Sequence, residues 1–214
     1  MENRRKDIDY TLYLVTDQSL MSTSKLFSAV EQAILGGCTM VQLREKSSTS
    51  LDFYHIAKEI KCLTDSYGVP LIINDRIDIA LAIEAQGVHI GQSDIPASVA
   101  RKIIGNYMLL GVSAATVTEA EKAQDDGADY LGIGAMFPTD TKTDAFYVTF
   151  SELEKIRQAV NLPLVAIGGI NKSNAATLKK AEVDGLAVVS AIISQPDIRK
   201  AAEEIKQIFL SGGE

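Results

Sequence analysis

Eight short apolar runs that alternate with helix-period segments predict a single-domain (β/α)8 barrel. The runs are Thr11–Val15, Thr39–Leu43, Pro70–Ile73, Gly87–Ile90, Met108–Val112, Asp129–Ile133, Pro163–Ile167 and Leu186–Val189. Most are rich in Val, Ile and Leu with little polar alternation, the pattern of parallel strands covered on both faces. The segments between them carry helix start and stop signals. The alternation also runs without a break in composition through 214 residues, a length near the lower end for this fold. One domain over residues 1–214 is therefore expected. An open doubly wound sheet is the alternative, and eight regular units favour closure.

The elements follow in order. After the first run, residues 24–35 place Leu26, Val30, Ala33 and Ile34 on one side and stop at Gly36-Gly37. After the second, residues 50–67 gather Phe53, Ile56, Ala57, Ile60 and Leu63, then end at Gly68 with Pro70 beyond. The weakest helical segments are 77–85 and 96–104. Thr118-Glu119-Ala120-Glu121 and Ser151-Glu152-Leu153-Glu154 both fit a capping box, a hydroxyl followed three residues later by Glu. Ser194, Pro196 and Asp197 open a last amphipathic helix over 198–209.

With 46% hydrophobic and 23% charged residues, the chain has the balance of a globular domain rather than a disordered one. A net charge of −7 argues against nucleic-acid binding. No apolar run is long enough for a membrane helix, and the charged first residues do not suit a signal peptide, so a cytoplasmic protein is expected. Cys38 and Cys62 lack metal or redox spacing and read as reduced, buried thiols. His55 and His89 read as structural, His89 as a hydrogen-bonded core residue.

In such barrels the active site forms at the carboxyl ends of the strands. Polar residues collect there. Gln42, Arg44, Glu45 and Lys46 follow strand two, Asn74-Asp75-Arg76 strand three, and Gly91-Gln92 and Asp94 strand four. Ser113 ends strand five, Thr139-Asp140-Thr141-Lys142 lie beyond strand six, Gly168-Gly169 end strand seven, and Ser190 ends strand eight. Arg44, Lys46 and Lys142 suit a diphosphate, with solvated surface charge the alternative. Asp75 and Asp94 suit Mg²⁺, which takes one or two carboxylates and completes its shell from phosphate and water; Asp94 could instead cap the helix at Pro96. Gly168-Gly169, Val189 and Ser190 fall where many barrels hold a phosphate monoester on backbone N–H groups, with a plain glycine turn the alternative. Two anionic subsites suggest a transferase that joins two phosphorylated small molecules.

The ordered motifs resemble the thiamine-phosphate synthase family. They are Leu14-Val15-Thr16-Asp17, Val41-Gln42-Leu43-Arg44-Glu45-Lys46, Ile73-Asn74-Asp75-Arg76, Gly87 to Asp94, Gly111-Val112-Ser113, Phe137 to Lys142 and Ala166 to Ile170. The resemblance runs from Tyr13 to Ile192. It implies coupling of 4-amino-2-methyl-5-hydroxymethylpyrimidine diphosphate to 4-methyl-5-(2-phosphoethyl)thiazole, or its carboxylate, with Mg²⁺ as cofactor. By motif it assigns Gln42, Leu43, Arg44, Glu45, Lys46, Asn74, Ser113 and Lys142 to the pyrimidine diphosphate, and among these Arg44, Lys46, Ser113 and Lys142 to catalysis. Asp75 and Asp94 are assigned to the metal. Thr139, Asp140, Thr141, Gly169, Val189 and Ser190 are assigned to the thiazole phosphate. The expected partners are these small molecules, not nucleic acid or membrane; a homo-oligomer is compatible with this reading.

Three positions depart from the family pattern: Ala115 where many members have His, Tyr147-Val148-Thr149 where many have Gly, and Glu182-Val183 in place of a common Gly-Ala turn. A thiazole tautomerase on the same barrel and a non-catalytic thiazole-phosphate-binding relative are the rival readings. Neither needs the full set Arg44, Lys46, Asn74, Asp75, Asp94, Ser113 and Lys142.

Overall fold

The eight runs form eight parallel strands that pair in sequence order and close on themselves, β8 returning to β1. This computed structural model describes residues 8–22, 25–139 and 147–212. The strands are β1 (Leu12–Val15), β2 (Met40–Leu43), β3 (Leu71–Asn74), β4 (Gly87–Ile90), β5 (Leu109–Ala114), β6 (Tyr130–Ile133), β7 (Leu164–Ile167) and β8 (Gly185–Val188). The connecting helices are α1 (Leu26–Leu35), α2 (Ser50–Ser66), α3 (Ile77–Ala82), α4 (Ala97–Ile104), α5 (Val117–Asp125), α6 (Phe150–Ala159), α7 (Ala175–Lys179), α8 (Ser190–Ile193) and α9 (Ile198–Ser211). The barrel expectation is borne out.

Strand alternation divides the core in two. Leu12, Leu14, Val41, Leu43, Leu71, Ile73 and their counterparts face outward and pack under the helices. Tyr13, Val15, Met40, Ile72, Leu109, Tyr130, Val165 and Ala187 fill the barrel interior. Further along the same inward rows stand Gln42 and Asn74, two residues on, and Ser113, four residues beyond Leu109. The inward row is therefore more polar than the apolar runs suggest, because it also carries Tyr13, Tyr130 and His89.

Two glycines make room for that polar layer. A Cβ on Gly111 would lie 2.2 Å from Tyr130 Cζ and 2.4 Å from His89 Nδ1. One on Gly132 would lie 3.0 Å from His89 Cε1. The rings of Tyr130 and His89 occupy the volume that larger residues on β5 and β6 would take.

Helix ends follow the sequence signals closely, with two corrections. α2 ends in a Schellman-type turn, Gly68 at φ +66 donating to Asp65 and Val69 donating to Thr64. The predicted capping boxes are each two residues too late. The extended, capping residues are Thr116 and Thr149, whose hydroxyls accept from Glu119 N and Glu152 N. Thr118 and Ser151 already lie inside the helices, so their side chains cannot reach the unpaired first-turn donors. Glu119 turns back to accept from Ala115 N, and Glu152 accepts from Val117 N on the neighbouring helix. The expected start of α1 at Ser24 lies outside the described residues.

Cys38 is buried as expected, and burial pushes its thiol up to about 12. Cys62 is exposed, against expectation. The buried stripe of α2 is Phe53, Ala57, Ile60, Leu63 and Thr64, and Cys62 falls outside it.

The amino end of the barrel has charges of its own, all engaged with the main chain. Arg101 pairs with Asp129 at 2.5 Å and donates to the carbonyls of Gly105, Met108 and Gly127. Arg157 pairs with Asp184 and donates to Val160 and Leu162. The two aspartates accept from Leu110 N and Leu164 N. These groups close the bottom of the barrel.

Candidate active site

At the carboxyl rim of β1 to β4 four charged side chains form two ion pairs. Arg44 Nη1 lies 2.8 Å from Asp17 Oδ2, and Arg44 N donates to Thr16 Oγ1. Asp17 is itself held by Ser19, whose N and Oγ both donate to Asp17 Oδ1. Lys46 Nζ lies 2.5 Å from Asp75 Oδ2. The two described cations thus stand beside carboxylates, not alone on the surface. Arg44 is largely covered, which strengthens its field relative to a free surface charge, while Lys46 keeps about half its side chain in solvent.

Asp75 and Asp94 come together. Burial is the largest influence on Asp94 and raises its pKa; the charge of Asp75 and a hydrogen bond with it raise it further, while Gly91 N–H and Lys46 oppose the shift. Asp94 Oδ2 accepts from Gly91 N at 2.7 Å, and the cap residue of α4 is Pro96 with no side-chain cap, so Asp94 does not cap that helix. Asp75 sits at φ +61, in the left-handed region that Asp tolerates better than most side chains. Its N–H donates to the His89 carbonyl, which ties the turn after β3 to β4. Two carboxylates driven together in a half-buried position are the arrangement a divalent cation relieves. Among the described residues no group of three His, Cys, Asp or Glu gathers as a complete metal cage.

On the inner wall, Gln42 is buried and donates to Tyr13 Oη at 2.9 Å. Ser113 Oγ lies 3.0 Å from His89 Nε2, and its carbonyl accepts from Gln92 Nε2. His89 is the hydrogen-bonded core residue expected. Glu45 accepts from Ser48 Oγ through Oε2, while Oε1 is buried with no partner among the described residues; burial raises its pKa. Leu43 is placed otherwise than a ligand-facing side chain: it points outward into the core beneath the helices, so only its main chain faces the rim.

The opposite arc is built of backbone. Gly168 and Gly169 adopt φ +94 and +65. A Cβ on Gly169 would lie 2.4 Å from the Pro138 carbonyl oxygen, and one on Gly168 2.6 Å from Ala135 Cβ. These glycines are thus more than turn residues, since the β6 and β7 loops touch through them. Val189 precedes the four-residue α8, which Ser190 begins, so β8 is followed by the short extra helix at which many barrels hold phosphate. Thr139 stands half-buried next to this arc in sequence, while Asp140, Thr141 and Lys142 lie outside the described residues.

Residues 12–192 match the family model described as thiamine monophosphate synthase. The chain belongs to that family. It is 61% identical over 207 residues to a thiamine-phosphate synthase of Ruminiclostridium cellulolyticum, covering 97% of this chain and 99% of the relative. It is 58% identical to one of Clostridium beijerinckii, covering 95% and 97%. A solved thiamine phosphate pyrophosphorylase of Pyrococcus furiosus superposes with a TM-score of 0.89 at 40% identity, covering 98% and 99%.

Within this family frame two of the sequence departures have a local explanation. Val148 is buried and its N–H donates to the Ala135 carbonyl, and Thr149 caps α6, so the 147–149 segment fastens the chain back onto the barrel. Glu182 adopts φ +57, the conformation for which glycine is usual. Asp17 and Tyr13 are the residues that reading the rim for ligands left out. Asp17 was visible as the first charged residue after β1 and the natural partner of Arg44. Tyr13 and Tyr130 carry hydroxyls on the inward row of β1 and β6, a signal that strand alternation alone supplies.

Proposed function

We propose that this chain is a transferase that couples 4-amino-2-methyl-5-hydroxymethylpyrimidine diphosphate to 4-methyl-5-(2-phosphoethyl)thiazole or its carboxylate. The products are thiamine phosphate and diphosphate, with CO₂ from the carboxylate. The observation that carries the reading is the meeting of Arg44, Lys46, Asp75 and Asp94 on one arc of the rim, in a chain of this family. A tautomerase or a binding protein has no use for that arc.

In this reading Arg44, Lys46 and Lys142 hold the diphosphate, and Gln42, the Leu43 main chain, Glu45, Asn74 and Ser113 surround the pyrimidine. Asp75 and Asp94 would hold Mg²⁺, which supplies Lewis-acid neutralisation of charge on the phosphate oxygens when bound. The pairing of these two carboxylates and the elevation of Asp94 fit that group. Thr139, Asp140, Thr141, Gly169, Val189 and Ser190 hold the thiazole phosphate. Substrate binding replaces the Asp17 and Asp75 carboxylates around the cations with phosphate oxygens, or adds to them.

The C–O bond to the diphosphate breaks and its electron pair leaves with oxygen. The resulting pyrimidinylmethyl cation is stabilised by the ring amino group. Arg44, Lys46 and Lys142 oppose the charge growing on the departing oxygens, a stabilisation for which one good donor is worth about 3 kcal/mol. The thiazole nitrogen then attacks the methylene carbon. No general base is required, in keeping with a rim whose histidine is engaged in the wall. We place the reaction in the cytoplasm, with two free thiols in support. No described helix is long and apolar enough to cross a membrane.

The test is a coupling assay with both substrates, with Mg²⁺ or with chelator, following diphosphate and thiamine phosphate together. Equal, Mg²⁺-dependent release of both is expected. A folded protein that binds thiazole phosphate and forms neither product would overturn the reading.

A further inference from the structure

Inside the barrel, five polar side chains from five strands form one continuous chain of hydrogen bonds. Gln42 Nε2 on β2 donates to Tyr13 Oη on β1 at 2.9 Å. Tyr13 Oη lies 2.9 Å from Tyr130 Oη on β6. Tyr130 Oη lies 3.1 Å from His89 Nδ1 on β4, and His89 Nε2 lies 3.0 Å from Ser113 Oγ on β5. Tyr13 and Tyr130 are wholly buried. The chain ends at the rim, on Gln42 and Ser113. Gln42 Oε1 has no protein partner among the described residues and is not one of the fully buried unpaired atoms.

Counting protons gives this chain a direction. A phenol owns one proton, and burial raises the pKa of both tyrosines, which keeps them protonated. Because Gln42 gives an N–H to Tyr13, the Tyr13 proton goes to Tyr130. The Tyr130 proton goes to His89 Nδ1, and a neutral imidazole then gives its Nε2 proton to Ser113 Oγ. The Ser113 proton is left for the site, and Gln42 Oε1 is left as an acceptor at the other end of the chain. Reversing one bond reverses all of them. Gln42 would then turn its amide nitrogen to the site, and Ser113 would offer only lone pairs. The two ends cannot change independently, and a buried chain of this kind tolerates no unpaired member cheaply.

We propose that this relay fixes the donor and acceptor pattern of the pyrimidine subsite, so that it selects a 4-aminopyrimidine over a 4-oxopyrimidine, with His89 and Tyr130 as positioning residues. An aminopyrimidine carries a donor amine beside an acceptor ring nitrogen. An oxopyrimidine carries an acceptor carbonyl beside a ring N–H, the inverted pattern. The inference rests on the functional reading above, which places Gln42 and Ser113 at the pyrimidine.

The test uses two ligands that lack the diphosphate leaving group, the 4-amino and 4-oxo forms of 2-methyl-5-(phosphooxymethyl)pyrimidine, titrated by calorimetry. The unaltered protein is expected to bind the amino form at least about tenfold more tightly, as sites built on paired donors and acceptors do. Tyr130→Phe removes a hydroxyl that does not reach the site and breaks the relay. The preference should then fall to about threefold or less, with cooperative thermal unfolding retained. Nitrogen NMR of the ligand-free protein should show the Nε2–H tautomer at His89, and loss of that single tautomer in Tyr130→Phe. Should Tyr130→Phe fail to fold, Tyr13→Phe interrupts the same chain one bond earlier, and the tautomer of the unaltered protein still decides. An unchanged preference in a folded variant, or an Nδ1–H tautomer in the unaltered protein, overturns the relay. Equal binding of the two pyrimidines overturns it as well. Binding of neither overturns the functional reading together with it.

Discussion

In the proposed function the two arcs of the rim each hold an anion, but they are built by different means. The β1 to β4 arc uses side chains: Arg44, Lys46, Asp75 and Asp94, with Asp17 behind Arg44. The β6 to β8 arc offers main chain: the left-handed Gly168-Gly169 turn pressed against the β6 loop, and the start of α8. A side-chain site can be weakened one charge at a time while the barrel stays intact. A main-chain site depends on the path of the backbone, so a single added carbon shifts several donors together. The first arc separates chemistry from folding, and the second does not.

The largest effect that would sharpen this contrast is on turnover. Asp75→Ala, and separately Lys142→Ala, should lower turnover by about a thousandfold, the scale of losing one well-placed electrostatic contact in a transition state, while circular dichroism and the unfolding transition stay close to those of the parent. Near-normal turnover in either variant removes that residue from the mechanism. Next in size is Gly169→Ala. With φ +65 and a Cβ only 2.4 Å from the Pro138 oxygen, the alanine forces the β6 and β7 loops apart. KM for thiazole phosphate should rise by about 30-fold or more and stability should fall by about 2–3 kcal/mol, as strain and overpacking add. A rise in KM with stability unchanged would show that the second arc is as separable from the fold as the first.

A smaller effect tests support within the side-chain arc. Asp17→Ala leaves Arg44 in place but removes the carboxylate that holds it. Turnover should fall about tenfold, the size of a lost orienting partner, with little change in KM for the thiazole phosphate. An equal effect on both substrates would mean that the two arcs are coupled.

Legibility in the sequence followed the same division. The barrel was readable because most strands are short, mainly apolar runs, and because glycines and prolines mark most helix ends. Gly68, for example, stands at the position the stop signal predicts. The charged arc was readable because Arg44, Lys46, Asp75 and Asp94 lie within a few residues of the ends of their strands. The inner wall was less so. Reading runs as uniformly apolar hid the alternation that turns Tyr13, Gln42, His89, Ser113 and Tyr130 onto one face, and partner choice between residues 24 to 117 apart in sequence depends on closure of the barrel. The capping boxes were misplaced because Thr116 and Thr118 are equally good sequence candidates, and only the extended backbone at Thr116 decides between them. The exposure of Cys62 likewise depends on which face of α2 meets the barrel.

The smallest prediction isolates what makes the main-chain arc intolerant. Gly68 and Gly169 have nearly the same φ, +66 and +65, but a Cβ on Gly68 would meet nothing within 4 Å. Gly68→Ala therefore carries the left-handed penalty without the steric one and should lower stability by about 1 kcal/mol, with both KM values unchanged. Glu182 and Glu84, already at φ +57 and +54, indicate that the fold accommodates such a penalty where space is free. Denaturant unfolding of Gly68→Ala and Gly169→Ala side by side separates the two contributions. If both variants lose the same stability, conformation alone explains the Gly169 turn, and the close approach of the β6 loop contributes nothing. A larger loss at Gly169, accompanied by weaker thiazole-phosphate binding, assigns the difference to that contact and makes loop packing the basis of the phosphate subsite.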